Sequence, residues 1–249
     1  MIYGLYHSAA GMLVTEYRQN VIANNLANAE TVGFKQDVAV FAERPLEAIA
    51  GPREGPSAPE LAGLSGGVWL GQTHTDFAQG QLIQTERPLD VGLEGPGFLV
   101  VQVDGRNQYT RDGRFVTDVE GVLRSAIDGA LVLGAGGAPI VLNRFGGTPV
   151  IDEEGRVWQE GAIRGQLALV DFDDPQQLRK AGNSRFEAAT APTRAAPARL
   201  RSGFVESSGT QPVKEVVNML EASRAYQINA GMLSVQDQTI GRLISVLAR

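Results

Sequence analysis

The stretch Pro212 to Ala248, PVKEVVNMLEASRAYQINAGMLSVQDQTIGRLISVLA, contains no proline after its first residue. At about 1.5 Å per residue it would form one helix about 55 Å long. Thr210 is placed to cap that helix, and Pro212 falls in its first turn, where a missing N–H costs little. Alternate steps of three and four give Val216, Met219, Ser223, Tyr226, Ala230, Leu233, Asp237, Ile240, Ile244 and Leu247. This seam is apolar except at Ser223 and Asp237, and its spacing is that of a coiled coil. A second apolar row runs beside it through Ala225, Ile228, Met232, Val235, Leu243 and Val246. One partner helix cannot cover both rows. Either both are buried in the core of one globular domain, the usual fate of an apolar stripe, or other molecules cover the surplus.

Working outward, Ile2 to Asn28 is a second proline-free helical segment. Tyr6, Ala10, Leu13, Tyr17 and Val21 form one apolar row, and Leu5, Ala9, Met12, Ala23 and Leu26 form another. Gly11 reads as a local cost to this helix, whereas Gly33 lies in a Thr31 Val32 Gly33 loop suited to a positive φ. The obvious first partner of each helix is the other.

Between the helices the pattern changes. Gly51 to Gly67 and Ala188 to Gly203 read as Pro/Gly-rich or low-complexity connections. Acid–Gly pairs recur every eight residues at Asp104 Gly105, Asp112 Gly113, Glu120 Gly121 and Asp128 Gly129, which predicts a meander with tight turns. Further strand candidates are Pro139 to Leu142, Pro149 to Ile151, Arg156 to Trp158 and Gln166 to Phe172. The expected fold class is α+β, with long terminal helices pairing as a coiled coil around a central all-β domain. The expected division is residues 1–35 with 205–249 as a helical domain, 36–85 with 188–204 as a connecting segment, and 86–187 as the β domain.

The 249 residues carry 28 acidic against 22 basic side chains, for a net charge of -6. Such a balance lacks the basic footprint of a nucleic-acid binder, so nucleic acid is not expected as a partner. There is no cysteine, hence no disulfide, thiolate metal site or Cys nucleophile. Only His7 and His74 are present, too few for a multi-histidine site and a poor basis for an imidazole-based enzyme. Asp171, Asp173 and Asp174 match no calcium-loop spacing and read as a solvated turn. Gly134, Gly136 and Gly137 have Pro139 where a dinucleotide loop needs its third glycine, and no helix follows. Asp152, Glu153 and Glu154 are adjacent, whereas glycosidase chemistry needs two carboxyls facing across a cleft. No cofactor or metal is called for. Met1 to Val14 lacks a basic lead and makes a poor secretory signal, and no run approaches the length of a membrane span.

Asn20 to Lys35, NVIANNLANAETVGFK, closely resembles the N-terminal motif of the flagellar rod and hook family. Val216 to Asn229, VVNMLEASRAYQIN, is similar to that family's C-terminal helix. Pro88 Leu89 Asp90 Val91, Gly95 Pro96 Gly97 Phe98, Tyr109 Thr110 Arg111 Asp112 Gly113 and Val132 Leu133 Gly134 resemble its rod members too, so the resemblance covers most of the chain. Ser208 Gly209 Thr210 Gln211 Pro212 departs from the Ser-Asn-Val type stretch the family usually carries before its last helix.

The resemblance implies a structural subunit of the flagellar basal-body rod, not an enzyme. Such a subunit is exported by the flagellar type III apparatus without a cleaved signal and assembles with copies of itself and other rod or hook subunits. On that basis the expected assembly residues are Tyr6, Leu13, Tyr17, Asn24, Asn25, Leu26, Asn28, Gly33, Phe34, Met219, Arg224, Tyr226, Ile228, Leu233, Ile240, Ile244 and Leu247. Asn24, Asn25 and Asn28 are also candidates for purely local capping and turn roles. The length favours a rod subunit over a hook protein, and Arg87 to Asp90 with Ala39 to Pro45 favour a proximal-rod subunit over a distal one.

Overall fold

A computed structural model of the chain describes residues 2–43, 67–192 and 194–247. Most of the stretch read as the first Pro/Gly connection lies outside the described residues. The fold is α+β, with a helix near each end and short antiparallel strands between them. The chain divides into two compact units. One comprises Met1–Ala27, Asp37–His74 and Gln211–Arg249; the other comprises Asn28–Gln36 and Thr75–Thr210.

The first unit is built on α1 (Ile2–Ala27) and α2 (Pro212–Leu247), of 26 and 36 residues. Both are proline-free inside, so nothing interrupts the i to i−4 ladder. They run antiparallel. Gly4 lies at Gln236, Gly11 at Asn229, and the Arg18 guanidinium approaches the Glu221 carboxylate at 3.9 Å. Thr15, β-branched in mid-helix, returns its hydroxyl to the Gly11 carbonyl at 2.8 Å. Near the end of α1 the buried Asn25 amide donates to the Asp37 carbonyl at 2.8 Å and accepts from the Asp37 N–H at 2.9 Å. The outgoing chain is thereby clamped to the helix it has just left. The strands Phe41–Glu43 and Val68–Leu70 pair antiparallel, and the second packs along α1. At the start of α2 the expected cap is not made: the Thr210 hydroxyl has no partner among the described residues. Proline in the first turn presets φ there without it.

The second unit is the β domain. Its largest sheet runs in the order Leu178–Gly182, Arg185–Ala188, Arg106–Thr110, Phe98–Val103, Leu131–Val132, Leu123–Ser125, Phe115–Thr117, with Leu169–Asp171 also pairing to Phe98–Val103. The strand Phe98–Val103 organises it, because successive side chains point to opposite faces and both faces are covered. Leu99 and Val101 enter an aliphatic core with Val91, Leu93, Phe115, Leu123 and Leu167. Phe98 and Val100 enter an aromatic core with Tyr109, Phe172 and Phe186. A three-stranded sheet of Val150–Ile151, Arg156–Gln159 and Ala162–Gln166 adds Ile151 and Val157 to the aliphatic side.

Three of the four acid–Gly pairs are turns, with Gly105, Gly121 and Gly129 at φ of 75°, 86° and 71°. Asp104 Gly105 is the two-residue link of a hairpin joining Phe98–Val103 to Arg106–Thr110. Asp112 Gly113 is different. Gly113 runs against Val91, accepting from its N–H at 2.9 Å, and a side chain there would collide with the Val91 carbonyl. The eight-residue spacing is kept while the reason for the glycine changes from a turn to a close approach.

Candidate functional site

The motif residues collect in two places, one in each unit. In the β unit the loop after α1, the strand Phe204–Glu206 and the Thr110–Gly113 segment converge on one carboxylate. Lys35 reaches Glu206 Oε1 with its Nζ at 2.5 Å and also donates to the Ala78 carbonyl at 2.8 Å. Arg111 Nη1 approaches Glu206 Oε2 at 3.3 Å, and the Gly80 N–H donates to Oε1 at 2.8 Å. The side chains of Lys35 and Glu206 have no exposed surface. Burial lowers the Lys35 ammonium and the Arg111 guanidinium from their ordinary pKa values, and the Glu206 charge opposes that shift in both. Two cations on one buried anion, with the Ala78 carbonyl and the Gly80 N–H as further backbone partners, is an arrangement that lets charge stay inside a core, although the Arg111 Nε is buried without a partner among the described residues.

Gly33 belongs to this knot. It sits at φ 67°, its N–H donates to the Glu206 carbonyl at 2.8 Å, and a Cβ there would lie 2.6 Å from the Asp112 nitrogen. Phe34 is buried next to it, with the Lys180 ammonium 4.4 Å above its ring and its carbonyl accepting from Gly209 N–H at 2.9 Å. Asn28 closes the turn between α1 and this loop, taking the Thr31 N–H on its carbonyl and the Thr31 hydroxyl on its side chain.

Beside the knot is an open hollow of about 290 Å³ lined by Phe77, Pro96, Phe98, Arg111, Asp171 and Pro175. Its lining has one carboxylate, Asp171, so it does not place two acids across a cleft. Asp174 caps a short 3₁₀ turn by accepting from Gln176 N–H at 3.0 Å. No group of three or more metal-ligating side chains occurs among the described residues.

The other predicted residues lie on the helices. Tyr6 and Leu13 are exposed on the side of α1 opposite to Gly4 and Gly11, and Asn24 is exposed as well. Tyr17 hydrogen-bonds Thr73 through its hydroxyl, and Leu26 is half-buried. On α2, Met219, Tyr226, Leu233 and Ile240 are half-buried beside the line Ala222, Asn229, Gln236. Arg224, Ile228 and Ile244 are exposed; the Leu247 side chain lies outside the described residues. The second apolar row stands open, with Ile228 at 64%, Val235 at 62% and Val246 at 72% exposure. Sequence reading missed Glu206 and Ala222. Glu206 occupies an inward strand position that polarity alone assigns to solvent; Ala222, fully buried, reads only as a strong helix former with little to bury.

No helix among the described residues is long and apolar enough to cross a membrane. A family model for the flagella basal body rod protein matches residues 5–35, and a model for the C-terminal region of flagellar basal body rod FlgEFG proteins matches residues 201–246. The chain is 35% identical over 235 residues to the flagellar basal-body rod protein FlgF of Caulobacter vibrioides, covering 92% of this chain and 91% of that one. It is 30% identical over 257 residues to FlgG of Buchnera aphidicola subsp. Schizaphis graminum, covering 98% and 99%. To FlgG of Bacillus subtilis it is 28% identical over 269 residues, covering 99% of each.

Proposed function

The chain belongs to the flagellar basal-body rod family, and from that premise we propose that its terminal helices are the elements through which it polymerises along the rod axis. It is a structural subunit of the bacterial flagellar basal-body rod and assembles there with other rod proteins. The family is a structural one. In our reading this member is not an enzyme: it carries torque, and its helices pair as a coiled coil.

The observation that carries this is the outward face of α2. Val213, Val217, Leu220, Ile228, Met232, Val235 and Val246 are each at least half exposed on one helix. In a free monomer that is a large patch of unburied apolar surface, and such patches mark interaction sites. Gly231 lies among these residues with no atom near its would-be Cβ, so the same face offers close backbone approach. Residue roles follow. Tyr6, Leu13, Ile228 and Ile244 would meet neighbouring subunits; Met219, Tyr226, Leu233 and Ile240 would pack against α1. Export by the flagellar type III apparatus without a cleaved signal completes the reading. We assign the subunit to the proximal rod, on Arg87 to Asp90 and Ala39 to Pro45.

The test is Ile228→Asp with Val235→Asp in the full chain. Motility and rod assembly should be lost, while urea unfolding of the β unit stays unchanged. Wild-type rods containing the double variant would sink the proposal.

A further inference from the structure

α1 and α2 meet along a line of small and polar residues, flanked by the half-buried Met219, Tyr226, Leu233 and Ile240 of the apolar row. A Cβ on Gly4 would lie 2.9 Å from the Gln236 amide nitrogen, and one on Gly11 would lie 3.1 Å from the Asn229 amide. Gly4 and Gly11 are seven residues apart, as are Gln236 and Asn229, and the sequence numbers of each facing pair sum to 240. Seven residues before Asn229 is Ala222, which has no exposed surface, and at that level Arg18 reaches Glu221. Gln236 lies against Gly4 by its amide nitrogen, and its carbonyl oxygen is buried without a hydrogen-bond partner among the described residues.

We infer that the two glycine slots and the two amides that fill them fix the register of the terminal helix pair. The apolar seam cannot do so. Met219, Tyr226, Leu233 and Ile240 repeat every seven residues, so sliding α2 by one heptad, about 10.5 Å, returns apolar residues to the same levels. The amides break this degeneracy. One heptad in one direction sets Gln236 at Gly11 but Asn229 against Arg18, where there is no slot; one heptad in the other sets Asn229 at Gly4 but carries Gln236 past the start of α1, so only the observed register fills both slots. A polar side chain in an otherwise apolar helix interface is a known way to choose one register at a cost in stability. The inference concerns the pair inside one subunit and stands whether or not the outer face binds neighbours.

The chain has no cysteine, so two introduced thiols are the only ones present. In the full chain, Arg18→Cys with Glu221→Cys reports the observed register to a short bismaleimide. Arg18→Cys with Ile228→Cys or with Lys214→Cys reports the two heptad shifts. With native amides the crosslink between positions 18 and 221 should exceed either shifted crosslink at least tenfold. With Asn229→Leu and Gln236→Leu the three crosslinks should come within about threefold of one another. Survival of the 18-to-221 crosslink as the sole product after that double substitution would overturn the inference. As a second measurement, Gly11→Leu should abolish the 18-to-221 crosslink, and adding Asn229→Ala, which vacates the space, should restore it; failure to restore would count equally against the slot.

Discussion

At Glu206 one carboxylate answers two buried cations, and its removal takes away the main counter-charge of both, leaving Lys35 the weaker pull of Asp76 and Arg111 that of Asp171. Glu206→Gln keeps the size and some hydrogen bonds but deletes the charge, so it should destabilise the β unit by about 3–5 kcal/mol, the usual cost of stranding a buried ion. Urea unfolding of the full chain followed by tryptophan fluorescence measures it, Trp158 lying in that unit. Two half-buried aspartates contribute to the response to acid. Bonds from the Arg124 guanidinium and the Val122 N–H hold Asp118 below its ordinary pKa of 3.8. Burial pushes Asp152 up, but bonds from Trp158 and Arg156 outweigh it and leave that carboxyl low as well. Between those depressed values and 3.8 the unfolded chain binds protons the folded chain refuses, so this stabilisation is present above about pH 4 and lost as pH falls through the folded values. Urea midpoints taken from about pH 7 to about pH 3 should fall less steeply in Asp118→Asn with Asp152→Asn than in the parent. The motif around Gly33 was legible in sequence as a positive-φ loop. Its coupling to Glu206 was not, because no local pattern announces that a lysine, an arginine and a glutamate will share one buried point.

At the scale of the helices, the two apolar rows on α2 were legible from spacing alone. The half-buried residues Met219, Tyr226, Leu233 and Ile240 come from the first row, whose Val216 and Ile244 are exposed, and Ile228, Met232 and Val235 of the second row are exposed, together with Val213, Val217 and Leu220, which neither row included. The inner seam was not legible, since Asn229 and Gln236 fall on neither apolar row and Gly11 read as a local cost to its helix. Their meaning lies in one another, 218 residues apart for Gly11 and Asn229, and helix propensity scores each side alone. Gly231 supplies a prediction with two signs. Nothing lies within 4 Å of its would-be Cβ, so Gly231→Ala should raise the stability of α2 in the free chain by up to about 1 kcal/mol, read from the helical circular dichroism on heating. If a neighbouring helix approaches that face in the rod, the same substitution should reduce swimming. A more stable helix with undiminished motility would show that the face is not closely covered.

For the molecule as a whole, the β unit takes in the short segment Asn28–Gln36 as well as Thr75–Thr210, so it retains Lys35, Arg111 and Glu206 together. A fragment spanning residues 28–210 should therefore unfold in one cooperative transition yet fail to enter rods. A molten fragment, lacking a sharp transition in near-ultraviolet circular dichroism, would mean that the helices are needed for its core. The β class was legible from the acid–Gly spacing. The strand order was not, because Phe98–Val103 pairs with Arg106–Thr110, Leu131–Val132 and Leu169–Asp171, and two of those three partners are remote in sequence. The Lys35–Glu206 pair spans 171 residues, nearly the whole length between the helices. Contacts of such separation close late, since loop entropy must be spent before they return anything. Under the proposed export route the two residues leave a narrow channel at different moments, and the knot cannot tie until both are outside. It then serves as a clock: the core is completed only when most of the chain has passed through.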